Sequence, residues 1–93
     1  MTDGEGKVKE IRFSNHALLK FKVLEVHGII IHEEFVKNTI LYPDRIEKGY
    51  KGRIIAQKHL DNEHVIRVIY EEFPDCIIVI TFYPGRRDRY EKD

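Results

Sequence analysis

Cys76-Ile77-Ile78-Val79-Ile80-Thr81-Phe82-Tyr83 is an apolar run that closes in hydroxyls, and its reading decides the fold. Five β-branched residues in succession, Ile77 to Thr81, suit a buried strand better than a helix turn. Side chains alternate across a strand, so the pattern puts Ile78, Ile80 and Phe82 on one face and Ile77, Val79, Thr81 and Tyr83 on the other. Thr81 and Tyr83 mark the second face as the open one. Towards the C-terminus, Pro84-Gly85-Arg86-Arg87-Asp88-Arg89-Tyr90 delivers arginines to one sheet edge.

Working upstream, Glu72-Phe73-Pro74-Asp75 and Asp61-Asn62-Glu63 read as turns. They separate strands over His64–Tyr70 and Arg53–Leu60, and Ile46 marks a further strand. Gly49 and Gly52 bracket another turn. Before these come two helical patterns. Ser14 or Asn15 caps the first, Ala17, Leu18, Phe21 and Leu24 recur at helical spacing, and Gly28 supplies its left-handed terminus. The spacing predicts a helix over 15–27. In the second, Glu33 and Glu34 complement the N-terminal dipole, Phe35, Val36 and Ile40 form the apolar stripe, and Pro43 forces an end. Ile11-Arg12-Phe13 alternates as a short strand does, and 1–9 reads as a disordered tail. The expected architecture is a single α+β domain over 10–93, with two N-terminal helices packed on one face of an antiparallel β-sheet of about four strands.

Ninety-three residues with 42% apolar content, five Tyr and five Phe support one modest core. Sixteen basic and sixteen acidic residues cancel, which removes the bulk electrostatic argument for nucleic acid. The cluster Arg86, Arg87 and Arg89, diluted by Asp88, is the local exception. A single cysteine, Cys76, excludes an internal disulfide and reads as a buried strand residue. No segment approaches the ~18 apolar residues of a membrane span, and no apolar signal core opens the chain. A cytoplasmic protein without a membrane role is expected.

Three candidate chemistries stand out. An anion site can draw on Arg67, Thr81, Tyr83, Arg86 and Lys58, because guanidinium forks match phosphate oxygens and hydroxyls add neutral donors. Arg67 is the outlier of Val65-Ile66-Arg67-Val68-Ile69; mid-strand, it must reach solvent, a ligand or a carboxylate such as Glu71 or Glu72. Second, His16 sits beside a helix N-terminus, where a neutral imidazole suits donor or base work; the alternative is a ring packed over the sheet. His27, His32, His59 and His64 flank turns and, with spacings of five and no paired cysteine, make only a weak metal signature. Third, the adjacent carboxylates Glu71-Glu72 and Glu33-Glu34 have structural explanations. No cofactor or metal is expected.

The order of motifs, Ser14-Asn15-His16-Ala17 opening a helix, Gly28-Ile29 closing it, Pro43-Asp44 closing a second, Gly52-Arg53, then Arg67-Val68-Ile69-Tyr70 and Val79-Ile80-Thr81-Phe82-Tyr83-Pro84, resembles a widespread family of small bacterial and archaeal proteins of uncharacterised function. Its members carry a helix-start HA…R motif, here with Lys20 in place of the arginine, and a final VvTvyp strand. The resemblance spans roughly residues 11–90. That family is similar in turn to the RelE/ParE-like superfamily, including toxins of the BrnT type.

The resemblance implies a RelE-like fold and a toxin-like RNA-binding or RNA-cleaving domain, metal-independent, encoded with an antitoxin that covers the active face. On that basis His16 or Lys58 would be the base, Arg67 and Arg86 the clamp, and Tyr83 or Tyr90 the acid. Thr81, Arg86, Arg89 and Tyr90 would contact RNA. Cleavage requires Arg67 to be free of internal glutamates and a cleft beside Tyr83. The alternative is a non-enzymatic module that binds a protein or nucleic acid through the same edge, and an apolar groove there would favour it. A homodimer through an exposed β-branched face is the third reading.

Overall fold

In the computed structural model, which describes residues 9–91, the chain runs β1 (Glu10–Phe13), α1 (Asn15–Val26), α2 (Glu33–Leu41), β2 (Arg45–Lys48), a 3-10 turn (Tyr50–Gly52), β3 (Ile54–His59), β4 (His64–Glu72), β5 (Cys76–Arg86) and a single helical turn, α3 (Arg87–Tyr90). The expected tail, 1–9, lies outside the described residues except for Lys9, which is held to Glu72 at 2.7 Å.

Local chemistry accounts for both long helices. The Ser14 hydroxyl accepts the Ala17 N–H at 3.0 Å, a conventional N-cap. At the other end Gly28 takes φ 82°, and the N–H groups of Gly28 and Ile29 return to the Glu25 and Leu24 carbonyls, satisfying acceptors the helix leaves open. Glu33 and Glu34 occupy the first turn of α2, and that helix stops at Leu41, two residues before Pro43. The apolar runs of β3, β4 and β5 pair as consecutive antiparallel strands.

The sheet corrects the expected count and direction. It has five strands in the order β1-β5-β4-β3-β2, and β1 runs parallel to β5, with Ile11 opposite Ile77 and Phe13 opposite Val79. The two helices are the reason. They carry the chain across the sheet after β1 and return it at the far edge, so β1 is left to pair with the last strand rather than with its neighbour in sequence.

The predicted alternation on β5 also fails part-way. Ile69 faces Thr81 but Tyr70 faces Val79, so Ile80 is an extra residue, a β-bulge that shifts the phase of everything before it. Ile77 and Val79 therefore join Phe82 in the core, against Ala17, Ile31, Val36, Ile40, Ala56, Ile66, Val68 and Tyr70. Ile78 falls opposite Glu71 and Arg12, in phase with Thr81 and Tyr83 on the other side. Phe82 is fully buried, with the Phe21 ring 4.5 Å away and Phe13 next to Phe21. Cys76, at the start of β5, is half-buried rather than sealed inside.

Both helices thus cover one side of the sheet, as the apolar stripes require, and the other side carries no long helix. The expected arginine tail is folded: Arg87 N–H donates to the Glu63 carbonyl at 2.8 Å, and α3 turns back over the helix-free face.

Candidate functional site

The helix-free face is built from two cross-strand rows. Arg45, Gln57, Arg67 and Tyr83 stand opposite one another on β2, β3, β4 and β5, and Glu47, Ile55, Ile69 and Thr81 form the next row. Register alone brings Arg67, Thr81 and Tyr83 to one face, in agreement with the sequence reading.

Arg67 is the centre of this face, yet it is only 5% exposed. Its Nε donates to the Tyr83 hydroxyl at 3.2 Å, one terminal nitrogen donates to the Gln57 carbonyl oxygen, and both reach the Glu47 carboxylate at 3.3 and 3.5 Å. The Tyr90 ring lies over the guanidinium, 4.3 Å from its centroid, in cation–π range. Burial opposes the charged form of Arg67, but the hydrogen bonds it donates to Glu47 and Tyr83, with their charges, outweigh it and raise the pKa. In return the Arg67 hydrogen bond holds Glu47 below the usual carboxylate range, against burial and with help from the charges of Arg67 and Arg45. The sequence suggested Glu71 or Glu72 as the acid for Arg67. Glu71 instead pairs with Arg53 at 3.3 Å and Glu72 with Lys9.

The remaining arginines are paired in the same manner. Arg45 bonds the Tyr90 carbonyl at 2.8 Å and Glu47 at 3.4 Å, Arg87 bonds Glu91 at 2.8 Å, and exposed Arg86 sits 3.4 Å from Asp88. His59 meets the other Glu91 oxygen at 2.6 Å. Arg89 is exposed. Exchanging such surface pairs for phosphate is feasible, but the face as it stands is a mosaic of neutralised charges and not a basic track.

Two of the candidate catalytic side chains lie elsewhere. His16 is exposed on α1, in the helix layer. Lys58 follows Gln57 and so points to the helix side, where its ammonium donates to the Tyr42 carbonyl at 2.7 Å. The anion cluster drawn from the sequence therefore loses Lys58, and His16, Lys58, Arg67 and Tyr83 are divided between the two sides of the sheet. Among the described residues no group of three His, Cys, Asp or Glu side chains is placed to hold a metal, and no helix is long and apolar enough to cross a membrane.

A second feature escaped the sequence reading. Beyond the end of α1, Gly28 and Ile29 lie near the start of β4 and the end of β5. Between them is a cavity of about 390 Å³, within the range of ligand pockets. Ile29, Leu60 and Pro84 supply its apolar lining, and Asp61, His64 and Arg86 its polar rim. His64 and Arg86 are direct cross-strand partners, one row beyond Ile66 and Pro84. Asp61 organises the rim: one carboxylate oxygen accepts the backbone N–H groups of Glu63 and His64 at 2.8 Å and the His64 Nδ1 at 2.9 Å. The Glu63 backbone bond, then the His64 side chain, lower the Asp61 pKa. A carboxylate only accepts, so Nδ1 carries the proton and Nε2 is left for another partner.

Neither the protein-family models, nor the curated proteins, nor the solved structures contain a match to this chain.

Proposed function

We propose that this chain is a non-enzymatic protein-binding module whose working surface is the groove beyond the end of α1. The observation that carries this reading is the pairing of a preformed apolar cavity, lined by Ile29, Leu60 and Pro84, with a polar rim of Asp61, His64 and Arg86. Apolar surface bounded by a few oriented polar groups is the usual build of a binding site. Arg67, by contrast, has its donors committed to Glu47, Gln57 and Tyr83, and removing one partner of such a buried pair is strongly destabilising. Its arrangement supports a role in holding β2, β3, β4 and β5 together.

A second reading, a toxin-like RNA-binding or RNA-cleaving domain of a toxin–antitoxin pair, draws on one specific observation: Arg67, Thr81 and Tyr83 share the helix-free face and Tyr90 reaches the same place. It requires Glu47 to leave Arg67 and a base other than His16 or Lys58, because metal-free cleavage needs a free cation and a base at the scissile phosphate.

The two readings separate in one assay. Purified protein is incubated with RNA in EDTA, alone and on translating ribosomes, beside Arg67→Ala and Tyr83→Phe variants verified as folded by circular dichroism. The binding-module reading expects intact RNA throughout. Cleavage by the parent that both folded variants lose would overturn it in favour of the nuclease.

A further inference from the structure

We infer that the outward face of α1 docks an amphipathic helix of a partner protein, whose apolar seam packs on Leu19, Val23 and Val26 and whose flanking carboxylates meet Lys20 and Lys22. This second surface uses none of the residues that line the groove and goes beyond the reading above.

The helix carries two apolar stripes. Ala17, Phe21 and Leu24 pack into the core. Leu19, Val23 and Val26 repeat the same four-and-three spacing two residues later, about 200° round the helix, and so face away from the sheet. They are 59%, 43% and 80% exposed. Leu18, expected in the core stripe, is 46% exposed and broadens the outer one. A helix that only covers a sheet turns polar residues to solvent. Neighbouring aliphatic side chains in that position mark a contact surface.

Charge on the borders of the stripe selects the occupant. Lys22 stands about 60° to one side of Leu19 and Lys20 about 100° to the other, with His16 and His27 beside Lys20. Among the described residues neither lysine is ion-paired. Glu25, the one acid of α1, lies about 80° from Ala17, turned towards the sheet. A helix with Glu or Asp on both sides of an apolar seam therefore meets lysine on each border, the arrangement by which paired helices choose partners. A second copy of α1 would set lysine borders against each other in either orientation. Two lysines fall short of the cluster of about four or more that holds a protein to anionic lipid. The face has no strand edge, so an extended peptide finds no backbone to pair with.

The experiment uses the whole chain and two fluorescein-labelled peptides, three repeats of Glu-Ile-Ala-Ala-Leu-Glu-Lys and three of Lys-Ile-Ala-Ala-Leu-Lys-Glu, which share one apolar seam and exchange the charges beside it. Fluorescence polarisation gives the affinity and backbone amide NMR the site. The first peptide is expected to saturate and to move the amide resonances of Leu19, Val23 and Val26. The second is expected to bind at least about tenfold more weakly. The double variant Leu19→Gln, Val26→Gln alters only exposed positions; verified as folded by circular dichroism, it should weaken the first peptide by at least about tenfold. Equal binding of the two peptides, or binding that leaves the α1 resonances unmoved, would overturn the inference. So would no binding of either. Movement of the α1 resonances by vesicles of phosphatidylserine and phosphatidylcholine in equal parts, without peptide binding, would replace the helix with a lipid surface. Self-association in sedimentation that the double variant abolishes would replace it with a second copy. Each of these failures leaves the groove reading standing.

Discussion

The Ser14 hydroxyl donates to the Ile80 carbonyl at 2.8 Å while accepting the Ala17 N–H at 3.0 Å. One oxygen therefore joins the first turn of α1 to the bulged residue of β5. A bulge strips its residue of a ladder partner, and this serine supplies one. Ser14→Ala is expected to destabilise the fold by about 1–3 kcal/mol, since a cap and a part-buried hydrogen bond go together. Ser14→Thr, which keeps both, should lie close to the parent. Urea midpoints with unchanged slope would establish the values, and a loss below about 0.5 kcal/mol for alanine would refute the coupling.

Gln57 is 2% exposed, and its side-chain oxygen depends on Arg67. Arg67→Met should cost about 2–4 kcal/mol, because it orphans a buried acceptor and releases Glu47 from its ion pair. Gln57→Met in that background should recover part of the loss. A double-mutant cycle reads the coupling directly, and strictly additive effects would show that the two side chains do not act together.

Acid should weaken the fold partly through Glu47. Its folded pKa lies below the ordinary glutamate value of 4.5, so between those two values the unfolded chain binds the proton more readily. The contribution of Glu47 is complete above the unfolded value and is lost as pH falls through the folded one. Asp61 and Glu91 shift in the same direction. Stability measured by urea from pH 6 downward should decline below about pH 4.5, and more gently in Arg67→Met, where the largest cause of the Glu47 shift is gone. Identical slopes in parent and variant would exclude Glu47 as a contributor.

A β-carbon added at Gly85 would stand 2.4 Å from the Tyr90 ring, well inside contact. Gly85→Ala should therefore lift Tyr90 from Arg67 and loosen α3, at about 1–2 kcal/mol for the overpacking. Trypsin cleavage after Arg87 and Arg89 is the direct measurement, since both sit in that turn. Faster cutting than in the parent is expected, and an unchanged rate would mean that the ring is not what holds the turn.

Much of the fold was legible because its signals are local. Ser14, Gly28 and Pro43 bound the helices through backbone chemistry that a few neighbouring residues decide. The β3–β4–β5 meander follows from its turns, and Arg67 stood out because an arginine among β-branched neighbours needs a partner wherever it lies. The partner itself, Glu47, was not legible. It sits two strands away, and only the register of β2 on β3 brings it within reach. The bulge at Ile80 has no compositional mark in an all-aliphatic run, so alternation carried the wrong phase back to Cys76. The β1–β5 pairing joins residues 66 positions apart, such as Glu10 and Cys76, beyond any turn-based inference. His16 and Lys58 were gathered into one site by chemistry alone, and the sheet divides them. The groove is made by residues from the end of α1, the β3–β4 turn and the end of β5, a relation between elements that no single segment contains.

The strand order has one more consequence. Both outermost strands, β1 and β2, are only four residues long, and they are studded with charge: Glu10 and Arg12 on one, Arg45, Glu47 and Lys48 on the other. Short, charged borders deny a foreign strand the length of unpaired backbone it would need to continue the ladder. The long, Ile-rich strands that would otherwise template fibrils are confined to the interior positions of the sheet, so resistance to aggregation is built into the order in which the strands are laid down.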